Sequence, residues 1–178
     1  ADAAAALRQL MADIAAARAA HGELHLWWLG QSGFLVQWQG AHLLFDPYLS
    51  DSLTRKYANT DKPHVRMTEL CIRPERLDFI DVVTSSHNHT DHLDAETLLS
   101  LLKANRGISI VVPEANRQFA ADRLALPVER LIGLDDGLSI ELAGLRITGV
   151  PAAHDTIEHD DRGHLRFMGY IARCGEWT

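Results

Sequence analysis

Cysteine is scarce in this chain. Only two in 178 residues, Cys71 and Cys174, widely separated, read as reduced structural thiols rather than a disulfide or a Cys-rich zinc site. Basic charge is also short: 17 Lys and Arg face 24 Asp and Glu, a net charge of −7. That balance denies a nucleic-acid partner any electrostatic support from the chain as a whole. No apolar run approaches the roughly 20 residues of a membrane helix. The Ala-rich start is broken by Asp2, Arg8, Asp13 and Arg18, so it lacks the apolar stretch of a secretory signal. The expectation is a cytoplasmic protein with no membrane span. Its composition, 47% hydrophobic and 23% charged, suits one globular domain over residues 1–178.

Histidine is in excess, with ten residues. Three of them fall in the run His87-Asn88-His89-Thr90-Asp91-His92, directly after an apolar stretch. Neutral imidazole and carboxylate are ligands for divalent metals, and a tight cluster offers several for little extra chain ordering. If the segment stays extended, the two-residue period puts His87, His89 and Asp91 on one side, with His92 entering the next helix.

The chain around this run alternates strand and helix patterns. Residues 3–20 follow helical spacing through Leu7, Leu10, Met11 and Ile14, a stripe that packs on the domain or, alternatively, serves a homo-oligomer contact. Strands are expected at 24–29, 34–38 and 42–45, joined by Gly-bearing turns. Residues 46–76 form a mixed polar stretch of lid-like character. A buried strand at 79–84 delivers the His cluster. Asp94 then caps a helix with Leu98, Leu99, Leu101 and Leu102 on its apolar face. A strand at 108–112, a helix at 114–124 and strands at 131–134, 138–142, 145–150 and 165–173 follow. The order suggests layers of sheet and helix, an α/β (α+β layered) domain.

His154, just beyond the strand ending at Val150, is a plausible closing ligand. With His87 and His89 it would hold one metal and leave a fourth position open, as catalytic rather than structural zinc does. Asp91 and His92 then remain for a second metal, or Asp91 acts catalytically by orienting and deprotonating the attacking water. Zinc and manganese both suit these ligands. His64, Arg66, Tyr57 and Lys56 could contact an anionic substrate from the 46–76 stretch. His159, Asp160, Asp161 and His164 read as a solvated loop tip, and His25 and His42 as ordinary sheet residues.

His87-x-His89-x-Asp91-His92, with His154 after it, resembles the metallo-β-lactamase superfamily of hydrolases. Trp27-Trp28-Leu29-Gly30-Gln31-Ser32-Gly33-Phe34, Leu43-Leu44-Phe45-Asp46-Pro47 and Ile80-Asp81-Val82-Val83-Thr84 resemble its ascorbate-6-phosphate lactonase-like branch. That branch also resembles the N-acylphosphatidylethanolamine-hydrolysing phospholipase D. The resemblance implies an αββα sandwich with the site at one edge between two sheets. It implies His87, His89 and His154 on one metal, Asp91 and His92 on another, and Asp46 in a supporting role. It further implies a metal-bridging Asp and a final His that are not found before Thr178, so the second half of the sandwich is expected beyond this sequence.

The activity expected is metal-dependent hydrolysis of an ester, lactone or phosphoester in a small anionic substrate. The rivals are a nuclease or phosphodiesterase on the same fold, a di-iron redox protein, and a non-catalytic metal-binding protein. The acidic balance counts against the first. The di-iron group generally carries a carboxylate where His89 stands, which counts against the second. The third applies if the chain ends at Thr178.

Overall fold

The computed structural model describes residues 2–178. Helix α1 (Ala3–Ala17) starts where the Asp2 carboxylate accepts the Ala4 amide at 3.0 Å. It ends three residues before the expected stop, because the amides of Ala19 and Ala20 bond three residues back and tighten the last turn. Strands β1 (Leu24–Trp28), β2 (Phe34–Trp38) and β3 (Ala41–Phe45) form an antiparallel meander.

The 46–76 stretch is not structureless. It carries the short helix α2 (Ser52–Tyr57) and a 3₁₀ turn at Pro74–Arg76. Strand β4 (Val82–Thr84) is shorter than its apolar run, since the Ile80 amide is taken by the Asn105 side chain at 2.8 Å. Helix α3 (Ala95–Ala104) begins at Asp94, whose carboxylate accepts the Thr97 amide at 3.1 Å. Leu98 and Leu101 are buried, but Leu99, expected on the apolar face, is exposed.

Strand β5 (Ser109–Pro113) leads through a 3₁₀ turn at 114–116 into α4 (Arg117–Leu124), so the helix expected over 114–124 is split in two. Strand β6 (Leu131–Leu134) completes a six-stranded sheet in the order β1-β2-β3-β4-β5-β6, parallel from β3 onward. Strands β7 (Ser139–Leu142), β8 (Leu145–Pro151) and β9 (Met168–Arg173) make a separate antiparallel sheet. The last strand starts three residues later than expected, Leu165 making only an isolated bridge to His159.

The two-residue period of the strands divides the core into two layers. Leu44, Val83, Ile110 and Val112 face the helices and pack with Ile14, Leu98, Leu101 and Leu124. Their neighbours Leu43, Val82 and Val111 face the second sheet and pack with Leu145, Ile147 and Met168. Three strands do not cover six. Leu24, Leu26, Trp28 and Phe34 on β1 and β2 remain exposed, as does Ile171 on β9.

Candidate metal centre

Parallel pairing puts the carboxyl ends of β3 and β4 side by side, Phe45 opposite Thr84. Such ends are where open α/β sheets place their ligands. Asp46 leaves β3 with its amide donating to the Thr84 carbonyl at 3.1 Å and with a left-handed backbone, φ 40°. Asp and Asn are among the residues that tolerate that conformation. The second sheet is fastened to the same place. The Met168 amide donates to the Ser86 carbonyl at 3.0 Å, and the Tyr170 hydroxyl to that of Ser85 at 3.0 Å.

The His run itself is a turn, which corrects the extended geometry expected for it. The amides of His92 and Leu93 both fold back on the His89 carbonyl, at 3.1 and 2.8 Å. Arg123, reaching over from α4, donates to the carbonyls of Asn88 and Leu93 at 2.7 and 3.1 Å. The turn brings the rings together without strand periodicity. The His87 centroid lies 4.6 Å from that of His89 and 4.1 Å from that of His92. His154, in the loop after β8, closes the group at 5.0 Å from His89 and 6.2 Å from His87. Phe167 packs on His87 and His154 at 5.1 and 5.5 Å.

A hydrogen-bond chain orients two of these imidazoles. The Asp46 carboxylate accepts from His92 Nδ1, 2.6 Å away. The Ser86 amide donates to the other Asp46 oxygen at 2.8 Å, and the Ser86 hydroxyl donates to Asp46 as well. That leaves the Ser86 oxygen to accept from His87 Nδ1 at 3.0 Å. Both rings thereby carry a proton on Nδ1 and, when neutral, present a bare Nε2, the arrangement that carboxylate partners impose on metal-binding histidines. Asp46 thus lies beside the His cluster, bonded to Ser86 and His92.

The electrostatics of the two rings differ. Burial, then the neighbouring His92 and His89, pushes the His87 pKa down to about 3, so the ring stays neutral. Burial also opposes charge on His92, but the hydrogen bond and charge of Asp46, followed by Asp91, outweigh it and hold its pKa above the ordinary value. Asp91 Oδ2 lies 3.6 Å from His92 Nε2. Two ligands held tetrahedrally at about 2.1 Å from one ion are about 3.4 Å apart. The same Asp91 oxygen accepts from Gln31 Nε2 at 3.2 Å.

Among the described residues, no three His, Cys, Asp or Glu side chains already stand in a closed ligating arrangement. The donors are gathered rather than locked, with His154 half exposed. Their chemistry still fits a divalent ion, being imidazoles and a carboxylate, with the Nδ1 side of His87 and His92 already taken by hydrogen bonds.

Other expected contacts fall elsewhere. Arg66 spends its guanidinium on the Ser50 carbonyl at 2.7 Å and the Thr68 carbonyl at 3.3 Å, and stacks over Tyr48. It clamps the 46–76 segment rather than facing the His cluster. His64 meets the Thr54 hydroxyl at 3.3 Å, and Lys56 lies over the Tyr57 ring. His164 pairs with Asp160 in its own loop. His25 and His42 lie in β1 and β3 as sheet residues, and both cysteines are free. Ser86, Gln31, Ser32 and Arg123, which the sequence did not single out, all touch the His turn.

Residues 25–176 match the model of the Beta-lactamase superfamily domain. A metal-dependent hydrolase of Methanopyrus kandleri is 31% identical over 135 residues, 75% of this chain and 48% of that one. Among solved structures, a metallo hydrolase from Ignicoccus hospitalis superposes with a TM-score of 0.52 at 21% identity, covering 86% of this chain and 57% of that one. CmlA, a diiron beta-hydroxylase from Streptomyces venezuelae, superposes with a TM-score of 0.58 at 23% identity, covering 86% and 28%. Likenesses at that identity establish the metallo-β-lactamase fold alone. The chain spans between 14% and 54% of the length of the curated relatives it matches. No helix among the described residues is long and apolar enough to cross a membrane.

Proposed function

The chain belongs to the beta-lactamase superfamily domain family, and from that membership and the geometry of the His turn we propose that it serves metal-dependent hydrolysis. The bond cleaved is an ester, lactone or phosphoester in a small anionic substrate. The observation that carries this reading is the convergence of His87, His89 and His154, from two different sheets, beside an Asp91–His92 pair 3.6 Å apart.

His87, His89 and His154 would hold one divalent ion, zinc or manganese, and Asp91 with His92 would contribute to a second. Such an ion, when bound, supplies Lewis-acid charge and brings the pKa of a coordinated water to about 7. The chain's own part is to keep His87 and His92 protonated on Nδ1 through Ser86 and Asp46. Asp91 offers a carboxylate that accepts a proton from water or shares in ligation, steadied on one oxygen by Gln31. Phe167 walls off one side of the cluster from solvent. The test is His89→Ala in the complete protein, which should abolish hydrolysis and lower bound metal; unchanged activity would overturn the proposal.

A further inference from the structure

A cleft of ≈ 540 Å³ opens beside the His turn, lined by Trp28, Gln31, Ser32, Met67 and Thr68. Two of its lining residues are also the ones that touch the motif. Gln31 donates to Asp91 at 3.2 Å, and the Ser32 hydroxyl lies 3.4 Å from His92 Nδ1. The cleft therefore adjoins the proposed reaction centre through these two residues. Its walls come from two places, the β1–β2 turn and the far end of the 46–76 segment.

The backbone of the walls and the Trp28 indole are held in place. Gly30 has φ 92°, and a Cβ there would meet the Thr68 hydroxyl at 2.8 Å, so a glycine is needed for the two walls to approach. Arg66 ties the second wall down through the Ser50 and Thr68 carbonyls. The Trp28 indole is fixed by its Nε1–H donating to the Gln31 carbonyl at 2.9 Å.

What these walls present is uncharged, and its apolar part is Trp28 and Met67 beside the polar Gln31, Ser32 and Thr68. Met67 is 98% exposed and Trp28 56% exposed, while none of the five lining residues is ionisable. An indole face and a flexible thioether suit aromatic or alkyl groups of varied shape. No lining side chain offers an anion a counter-charge, and Arg66, behind Gly30, spends its guanidinium on backbone carbonyls.

We propose that this cleft is a subsite for the apolar, uncharged arm of the substrate, an aryl or alkyl group attached to the bond that is hydrolysed at the His turn. Trp28 and Met67 are its specificity-determining residues. This rests on the hydrolytic reading of the His turn for the substrate's identity, but the cleft's binding chemistry is testable without turnover.

The probe is 4-phenylbutan-2-one, a neutral aryl ketone with no ester to cleave, titrated into the full chain carrying ¹³C-methyl methionine. The chain has three methionines. Met11 packs against the core and Met168 is buried, so Met67 alone faces the cleft. Its methyl signal, assigned with Met67→Leu, should shift saturably while the other two stay in place. Trp28→Ala should weaken binding at least tenfold, and methylphosphonate should leave the Met67 signal unmoved.

The proposal falls if the ketone leaves Met67 unmoved, if Trp28→Ala binds it equally well, or if only the anion moves the signal. It also falls if Met67 shifts with protein concentration alone, which would assign the cleft to a second copy of the chain. Ketone binding together with absent ester hydrolysis would remove the hydrolytic reading and leave the apolar subsite standing. Hydrolysis without ketone binding would do the reverse.

Discussion

Asp46→Asn is the substitution that tests the centre most sharply. Asparagine tolerates the left-handed backbone at this position and matches aspartate in size, so the fold should survive. One side-chain oxygen can still accept the Ser86 amide. The other becomes an NH₂ that faces His92 Nδ1, 2.6 Å away in the present structure, and the Ser86 hydroxyl. Two donors cannot share that contact, so the His92 proton moves to Nε2 and that nitrogen is lost as a ligand. Removal of such an orienting partner typically costs 10–100-fold in metal affinity or activity, about 1.4–2.7 kcal/mol. Loss of charged hydrogen bonds should separately lower folding stability by about 1.5–3 kcal/mol. The assay is calorimetric zinc titration of chelator-treated protein, with ¹⁵N imidazole spectra reporting the tautomer. A variant that binds zinc as tightly as the parent, with its His92 proton still on Nδ1, would refute the orienting role of Asp46.

Arg123→Ala should free the Asn88 and Leu93 carbonyls, and amides 88–93 should exchange with solvent at least tenfold faster while the strands keep their protection. Uniform exchange would show that Arg123 does not hold the turn. Asn105→Ala should lower stability by about 2–4 kcal/mol in urea melts, because one side chain serves the Ile80 amide and the Leu77 and Leu101 carbonyls in the core. Tyr170 has a pKa raised well above the ordinary value by burial and, secondarily, by Asp46. The folded state therefore keeps a proton that the unfolded state releases above about pH 10, and stability should fall as pH rises past that point. Tyr170→Phe should lessen that alkaline loss while costing about 1 kcal/mol at neutral pH, and an unchanged alkaline profile would count against burial as the cause.

Most of the fold's elements were legible, and for identifiable reasons. Ligand-type residues at the spacing of His87, His89, Asp91 and His92 are restrictive enough to read directly. Asp94 before an apolar period, and the alternation of Leu43 with Leu44 and Val82 with Val83, declare a cap and a doubly covered sheet. The turn at the His run was not legible, because it depends on Arg123 arriving from α4 and on the Asp46 carboxylate opposite Ser86. Ser86 and Gln31 are ordinary polar residues in sequence, and their roles arise from strand pairing that brings positions 31, 46, 86 and 91 together. The length of β4 was overread for a similar reason: Asn105, 25 residues away, takes the Ile80 amide.

His87 and His89 belong to the end of the larger sheet, whereas His154 hangs from the smaller one. An ion shared among them would act as a rivet between two otherwise apolar layers. At 100 times its dissociation constant it would add about 2.7 kcal/mol, opposing separation of the sheets as well as melting of either. Metal removal should then be felt first as a loosening of the seam between β4 and β9, where the Met168 amide and the Tyr170 hydroxyl meet the carbonyls of Ser86 and Ser85.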